Sequence, residues 1–121
     1  MKDPANRKDI LNKLKQSNEV KITVRGRITR KKLSTPVWFV LDGDRMILLP
    51  IKGSQSSWLK NLVKDPHIEL GVDDIAIPSK ARIERDSHKV NAVFDKFRSK
   101  YRSLWSESYY TKRDVYVEVP V

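Results

Sequence analysis

The sequence predicts a mainly β member of the α+β class, a small closed or half-open antiparallel barrel, and three observations carry that expectation. A tight-turn signature, Asp42-Gly43-Asp44, joins two apolar runs, Val37 to Leu41 and Met46 to Leu49, which is the pattern of a β-hairpin. Segments of period two recur before and after it. Helical stripes fall in the gaps between strands. An α+β sandwich is the alternative arrangement.

Each element has its own signal. Pro4 suits a first helical turn, and Ile10, Leu11 and Leu14 at helical spacing predict a short amphipathic helix over Asp9 to Lys15. Gln16-Ser17-Asn18 ends it. Val20, Ile22 and Val24 then alternate with Lys21, Thr23 and Arg25, a half-exposed strand that the pattern extends through Arg27, Ile28 and Thr29. Arg30 to Pro36 reads as a polar connection. Val37 to Leu41 is apolar throughout, so a strand buried on both faces, with Trp38 and Phe39 pointing opposite ways. Pro50 stops the second hairpin strand, and Ile51 to Ser56 reads as a loop.

Ser56 or Ser57 is placed to cap a helix starting at Trp58, with Trp58, Leu59, Leu62 and Val63 on its apolar face. Asp65-Pro66 ends that helix. Ile68 to Val72 is a short strand, and Asp73-Asp74 a turn. Ile75 to Arg85 reads as one longer, bent strand with Pro78 at an edge or bulge. Asp86 or Ser87 caps a long helix whose stripe is Val90, Val93, Phe94, Phe97, Tyr101 and Leu104. Val115, Val117 and Val119 close the chain as a last strand.

Length and composition set the bounds. The 121 residues suffice for one domain, spanning 1–121. There is no cysteine, which removes disulfides, thiolate metal sites and cysteine nucleophiles together. No apolar run approaches the ~20 residues that span a bilayer. The stretch Met1 to Asp9 is not a secretory signal, so a cytoplasmic location and no membrane partner are the expectation. The formal net charge of +10 points to polyanions: nucleic acid, an anionic surface or a phosphorylated small molecule.

The chemistry the residues support is narrow. His67 and His88 have no second ligand at metal spacing, so no metal is expected. No glycine-rich dinucleotide loop, Walker loop or nucleophile elbow occurs. Asp73-Asp74 and Asp42 with Asp44 are turn residues before they are acid/base pairs. Two basic clusters flank the hairpin. Lys52, Gly53, Ser54, Ser56 and Ser57 precede a helix start, a combination suited to a phosphate or to an ordinary capped helix. Arg25, Arg27, Arg30, Lys31 and Lys32 form the other, either a solvated face or a second anion site; at period two Arg25 and Arg27 share a strand face. Among the aromatics, Trp58 reads as a core anchor. Tyr109 and Tyr110 lie in a stretch without periodicity and are the best candidates for hydroxyl donors in a pocket.

The run from Arg25 to Pro36, the hairpin at Asp42-Gly43-Asp44, Trp58 to Leu62 with Asp65-Pro66, and the closing Tyr110 to Pro120 segment together resemble the deazaflavin-dependent nitroreductase family. That family lies within the pyridoxamine-phosphate-oxidase-like split β-barrels that bind flavin mononucleotide (FMN) or the deazaflavin coenzyme F-420. The resemblance covers Val20 to Val121. It implies an oxidoreductase, a homodimer, and hydride transfer between the coenzyme and a small organic acceptor.

By the same resemblance, Arg27, Lys31, Thr35 and Pro36 line one side of the cofactor site, and Lys52, Ser54, Ser57, Trp58 and Asn61 the other. The ring lies along Pro36, Val37 and Trp38. Tyr109, Tyr110 and Ser57 are candidate proton donors. Ile28 and Arg30 stand where the family commonly has Lys and Gly, so FMN and F-420 both remain open. Two other readings stand beside this one. A small basic barrel that binds nucleic acid fits the charge, but the basic strand lacks interleaved aromatics. The third is a cofactor-binding protein without turnover.

Overall fold

The computed structural model describes residues 4–121, with side chains from residue 9 onward. Residues 1–3, part of the Met1 to Asp9 stretch read above, lie outside the described residues. The helices are α1 (Pro4–Lys15), α2 (Ser57–Lys64) and α3 (Ser87–Lys100). The strands are β1 (Glu19–Arg25), β2 (Lys32–Asp42), β3 (Arg45–Leu48), β4 (His67–Val72), β5 (Ile75–Lys80), β6 (Arg82–Glu84) and β7 (Tyr116–Pro120).

All seven strands form one antiparallel sheet in the order β5-β4-β1-β2-β3-β7-β6. Its two edges, β5 and β6, are consecutive in the chain. Residues 75–84 are the bent strand of the sequence reading, broken at Ala81, whose N–H goes to Pro66 O at 2.8 Å instead of to a neighbouring strand. The bend carries the chain from one edge to the other and curls the sheet into a split barrel. Pro78 sits on the edge strand β5, where its missing N–H costs no ladder bond. Ser79 Oγ donates to Pro120 O at 2.8 Å across the seam.

Two apolar cores explain why β2 is apolar on both faces. The barrel interior holds Val20, Ile22 and Val24 of β1, Phe39, Met46 and Leu48 of the hairpin, Ile68 and Leu70 of β4, and Val117 and Val119 of β7. Leu59 and Leu62 of α2 and Ile10 and Leu14 of α1 cover its openings. The second core lies outside the barrel, where α3 sets Val90, Val93, Phe94 and Phe97 against Val40, Ile47, Leu49 and Tyr116. Each fully buried side chain of this kind contributes roughly 1.5–3 kcal/mol relative to exposure.

Several sequence expectations are corrected. The first strand ends at Arg25. Residues 26–31 form a tight loop, with Arg30 N–H bonded to Gly26 O and Arg30 at φ 64°. Arg25 and Arg27 therefore share no strand face. Lys32 to Pro36 is not a connection but the first half of β2, paired with Arg25 to Lys21. Its polar residues hid it, because one face looks to solvent. Val63 and Leu104, assigned to apolar stripes, are 58% and 61% exposed. Val63 lies beyond the arc of α2 that meets the barrel, and Leu104 follows the end of α3 in a single 3-10 turn. Ser56 occupies the N-cap position of α2, but its Oγ accepts from Lys52 N–H at 3.0 Å rather than from the helix. Asp86 caps α3 through the Lys89 N–H at 3.1 Å.

Candidate active site

Strand β2 changes partners midway. Thr35 to Trp38 pair with Ile22 to Glu19, whereas Phe39 to Asp42 pair with Leu48 to Arg45. Where the two ladders part, the Tyr101 hydroxyl enters the gap. It accepts from Phe39 N–H at 3.0 Å and directs its proton toward the carbonyls of Asn18 and Phe39, at 2.7 and 2.8 Å. Lys100 Nζ also donates to Phe39 O at 2.8 Å and stands 3.6 Å above the Phe39 ring. Burial pulls the Lys100 amine down to about 8 and pushes the Tyr101 phenol up to about 12.

This bracing fixes the outward side chain next to the split. Trp38 stacks on Tyr101 with centroids 4.2 Å apart and planes 4° from parallel, and Tyr109 tilts against it at 5.7 Å. Tyr109 in turn packs edge-on to Tyr110, which is buried among Phe94, Phe97 and Trp105. Burial, then the neighbouring Tyr109 and Tyr101, pushes the Tyr110 phenol upward, so it keeps its proton at neutral pH.

A cavity of about 340 Å³ opens on this wall. Pro36, Val37 and Trp38 line it from β2, and Tyr109 and Tyr110 from the segment after α3. Lys52, Ser56, Ser57 and Trp58 line it from the entry to α2, with Glu19 at the start of β1. The recess continues into a second cavity of about 230 Å³ that shares Thr35, Ser57 and Trp58 and reaches Asn61. There the loop after β1 is pinned to α2. Asn61 Oδ1 accepts from Arg27 N–H at 3.1 Å and from the Arg27 guanidinium at 2.7 Å. The guanidinium also reaches Ser57 O at 3.3 Å.

One end of the combined recess is thus cationic and polar. Lys52, Arg27 and the Ser57 hydroxyl meet the N-terminus of α2, whose first N–H groups no side chain caps. A helix start carries roughly half a positive charge and suits a phosphate. The facing side, Pro36 to Trp38 with Tyr109, is flat and aromatic, with Glu19 beside it. A planar ring with a phosphorylated tail needs both, so the donor set fits such a group.

Most of the sequence-predicted residues converge on this recess. Thr35, Pro36, Val37, Trp38, Lys52, Ser57, Trp58, Tyr109 and Tyr110 line the larger cavity, Asn61 lines the smaller, and Arg27 joins through its bonds to Asn61 and Ser57. Two do not line it. Lys31 projects from the exposed loop, its N–H held by Thr29 Oγ1 at 3.3 Å. Ser54 turns away to Asp114, its hydroxyl and N–H both bonding that carboxylate. Burial works to raise the Asp114 carboxyl, but the Ser54 bonds hold it below the usual carboxylate value. Sequence reasoning missed Glu19, Leu49 and Ile51 as lining residues. Glu19 is placed by the register of β1 on β2, which sets it opposite Trp38 and which no local signal in the sequence fixes.

Comparison with known proteins agrees with the geometry. No curated protein matches the sequence. Among solved structures, a candidate pyridoxamine 5'-phosphate oxidase of Listeria innocua superposes with a TM-score of 0.69 at 16% identity, over 94% of this chain and 91% of that one. An F420-H2 dependent reductase gives 0.60 at 17% identity, over 84% and 93%. A candidate 5-nitroimidazole antibiotic resistance protein of Bacteroides thetaiotaomicron gives 0.69 at 14% identity, over 100% and 81%. These likenesses show the split-barrel fold. The family profile reaches further, because it covers residues 4–121, nearly the whole chain, and with that match the protein belongs to the F420H(2)-dependent quinone reductase family of oxidoreductases.

Proposed function

We propose that the protein binds coenzyme F-420 rather than FMN in the recess between β2 and α2, and passes reducing equivalents to a small organic acceptor of the quinone type. The observation that carries the reading is one recess in which Lys52 and the entry to α2 face the Trp38–Tyr109 wall, with a second cavity that shares Thr35, Ser57 and Trp58 and reaches Asn61, the residue that holds the Arg27 guanidinium. The deazaflavin, when bound, supplies two-electron hydride chemistry. The chain supplies everything else.

Lys52, Arg27, Ser57 and the α2 N-terminus hold the phosphate, with Asn61 fixing the Arg27 side chain. Pro36, Val37 and Trp38 provide the flat wall. Trp38 is kept in place by Tyr101 behind it and Tyr109 beside it, so the wall is set before any ligand arrives. Tyr109, 47% exposed at the rim, is placed to give a proton from its hydroxyl to the reduced acceptor. Tyr110 backs Tyr109 from the core, and Ser57 lies on the coenzyme side of the cavity.

The test is equilibrium titration of the purified protein with F-420 and, separately, with FMN, followed by turnover with reduced F-420 and a quinone. Saturable F-420 binding is expected, weakened about tenfold in Lys52→Ala by the loss of one partly screened charge contact. Absence of F-420 binding, or preference for FMN, overturns the reading. Binding without turnover supports a carrier in place of an enzyme.

A further inference from the structure

We infer that Glu19 sets the charge class of the acceptor, admitting neutral or cationic molecules and turning away anionic ones. The inference rests on the proposed function for which end of the recess receives the acceptor, and on the structure for what stands there.

Among the described residues, Glu19 is the only carboxylate that lines the larger cavity. Among the described residues its side chain has no hydrogen-bond or ion-pair partner. Nearby acids are engaged: Asp114 with Ser54, and Glu107 with Arg98 and Arg113. The register fixes where Glu19 lies. It pairs with Trp38, whereas Thr35, shared with the cavity that reaches Asn61, pairs with Ile22 three positions along. At about 3.3 Å per residue, the two ends are roughly 10 Å apart along β2. The recess therefore carries both signs of charge, with Arg27 at the Asn61 end, Lys52 on the α2 side of the larger cavity and Glu19 beside Trp38.

The rest of the molecule makes this placement informative. A net charge of +10 gives the surface a potential that draws anions toward any cleft. A cleft with cations alone would accept an anionic acceptor, or a second phosphate, as readily as the coenzyme. One unpaired carboxylate beside Trp38 reverses the local field where the acceptor must lie and leaves the phosphate end attractive. Like-charge juxtaposition is a standard means of excluding a wrong ligand.

The experiment compares 1,4-naphthoquinone with its 2-sulfonate, which differ by one negative charge, in wild type and in Glu19→Gln. The ratio of kcat/KM for the neutral over the sulfonated quinone, measured with reduced F-420, is expected to fall about fivefold in the variant, the scale of one partly exposed charge pair. The wild-type ratio should also shrink between about 20 and 300 mM salt, as the Debye length shortens, and the variant's should not. An equal ratio in both proteins overturns the inference. If F-420 supports no turnover, the proposed function has failed separately, and calorimetric titration of the same two quinones into the protein decides the role of Glu19. A fall of the neutral-over-sulfonated affinity ratio in Glu19→Gln sustains it. An unchanged ratio, or no binding of either quinone, overturns it.

Discussion

Arg27 and Asn61 are 34 residues apart in sequence, and a single side-chain oxygen joins them twice, receiving the Arg27 N–H and the Arg27 guanidinium. Asn61 is only 2% exposed, so this oxygen is where the loop after β1 is fastened to α2. Asn61→Ala leaves two donors without their acceptor. We expect a loss of about 1–3 kcal/mol in urea-induced unfolding, the usual cost of an unmade buried hydrogen bond. We also expect weaker F-420 binding, because Arg27 is released. Unchanged stability would mean that water replaces the carboxamide.

Tyr101 has two separable roles, one through its ring and one through its hydroxyl. Tyr101→Phe keeps the stack on Trp38 and removes the group that bridges Phe39 and Asn18. The expected result is a thermal midpoint lowered by a change of about 1–3 kcal/mol, with the near-ultraviolet circular dichroism of the Trp38 stack retained. Loss of that signal as well would show that the hydroxyl, not the ring, positions Trp38.

Gly53 lies just after Lys52 at φ 53°, and a Cβ there would collide with the Asp114 carboxylate and with Lys112 O. The Lys112 carbonyl is backbone, and the Asp114 carboxylate is tied to Ser54, so neither yields readily. Gly53→Ala should cost about 2 kcal/mol or more, from left-handed strain and steric conflict together. The same variant should bind F-420 less tightly, since the clash displaces Lys52. Calorimetric unfolding and coenzyme titration of one preparation check both.

The segment that carries Tyr109 is pinned by Glu107. Hydrogen bonds from Arg98, then from Trp105 Nε1 and Arg113, hold its carboxyl down to about 2, against an ordinary value of 4.5. A depressed carboxylate contributes stability that is complete above the unfolded value and is lost as pH falls through the folded one. Thermal midpoints should therefore drop as pH is lowered from about 4.5 to about 2, and Glu107→Gln should flatten that slope. A variant whose slope matches wild type would remove Glu107 from the account.

The hairpin, the capped long helix and the bent strand were legible because each has a local cause: a turn at Gly43, a carboxylate at Asp86, a proline on an edge. The wall at Pro36 to Trp38 came from the family resemblance, whereas Lys52 to Ser57 stood out by themselves as a basic, hydroxyl-rich approach to a helix. Other features depend on the tertiary arrangement alone. Lys32 to Thr35 look like a loop until β1 is laid against them. Ser54 looks like a phosphate ligand until Asp114, 60 residues later, claims it. Glu19 belongs to no motif and acquires meaning only from its partner across the strand. Tyr101 was read as one member of a helical stripe, and nothing in that spacing shows that its hydroxyl parts two strands.

The last strand in sequence, β7, is not at an edge of the sheet but between β3 and β6. A chain emerging from the ribosome can form the β1–β2–β3 meander and add β4 and β5 early, because all of those strands lie within residues 19–80. It cannot seat β6, or bury the inner faces of Met46 and Leu48, until residues 116–120 arrive to fill the slot. Closure of the barrel is therefore a late event of biosynthesis. Until then the nascent protein shows an unpaired β3 edge, the kind of surface that chaperones shield.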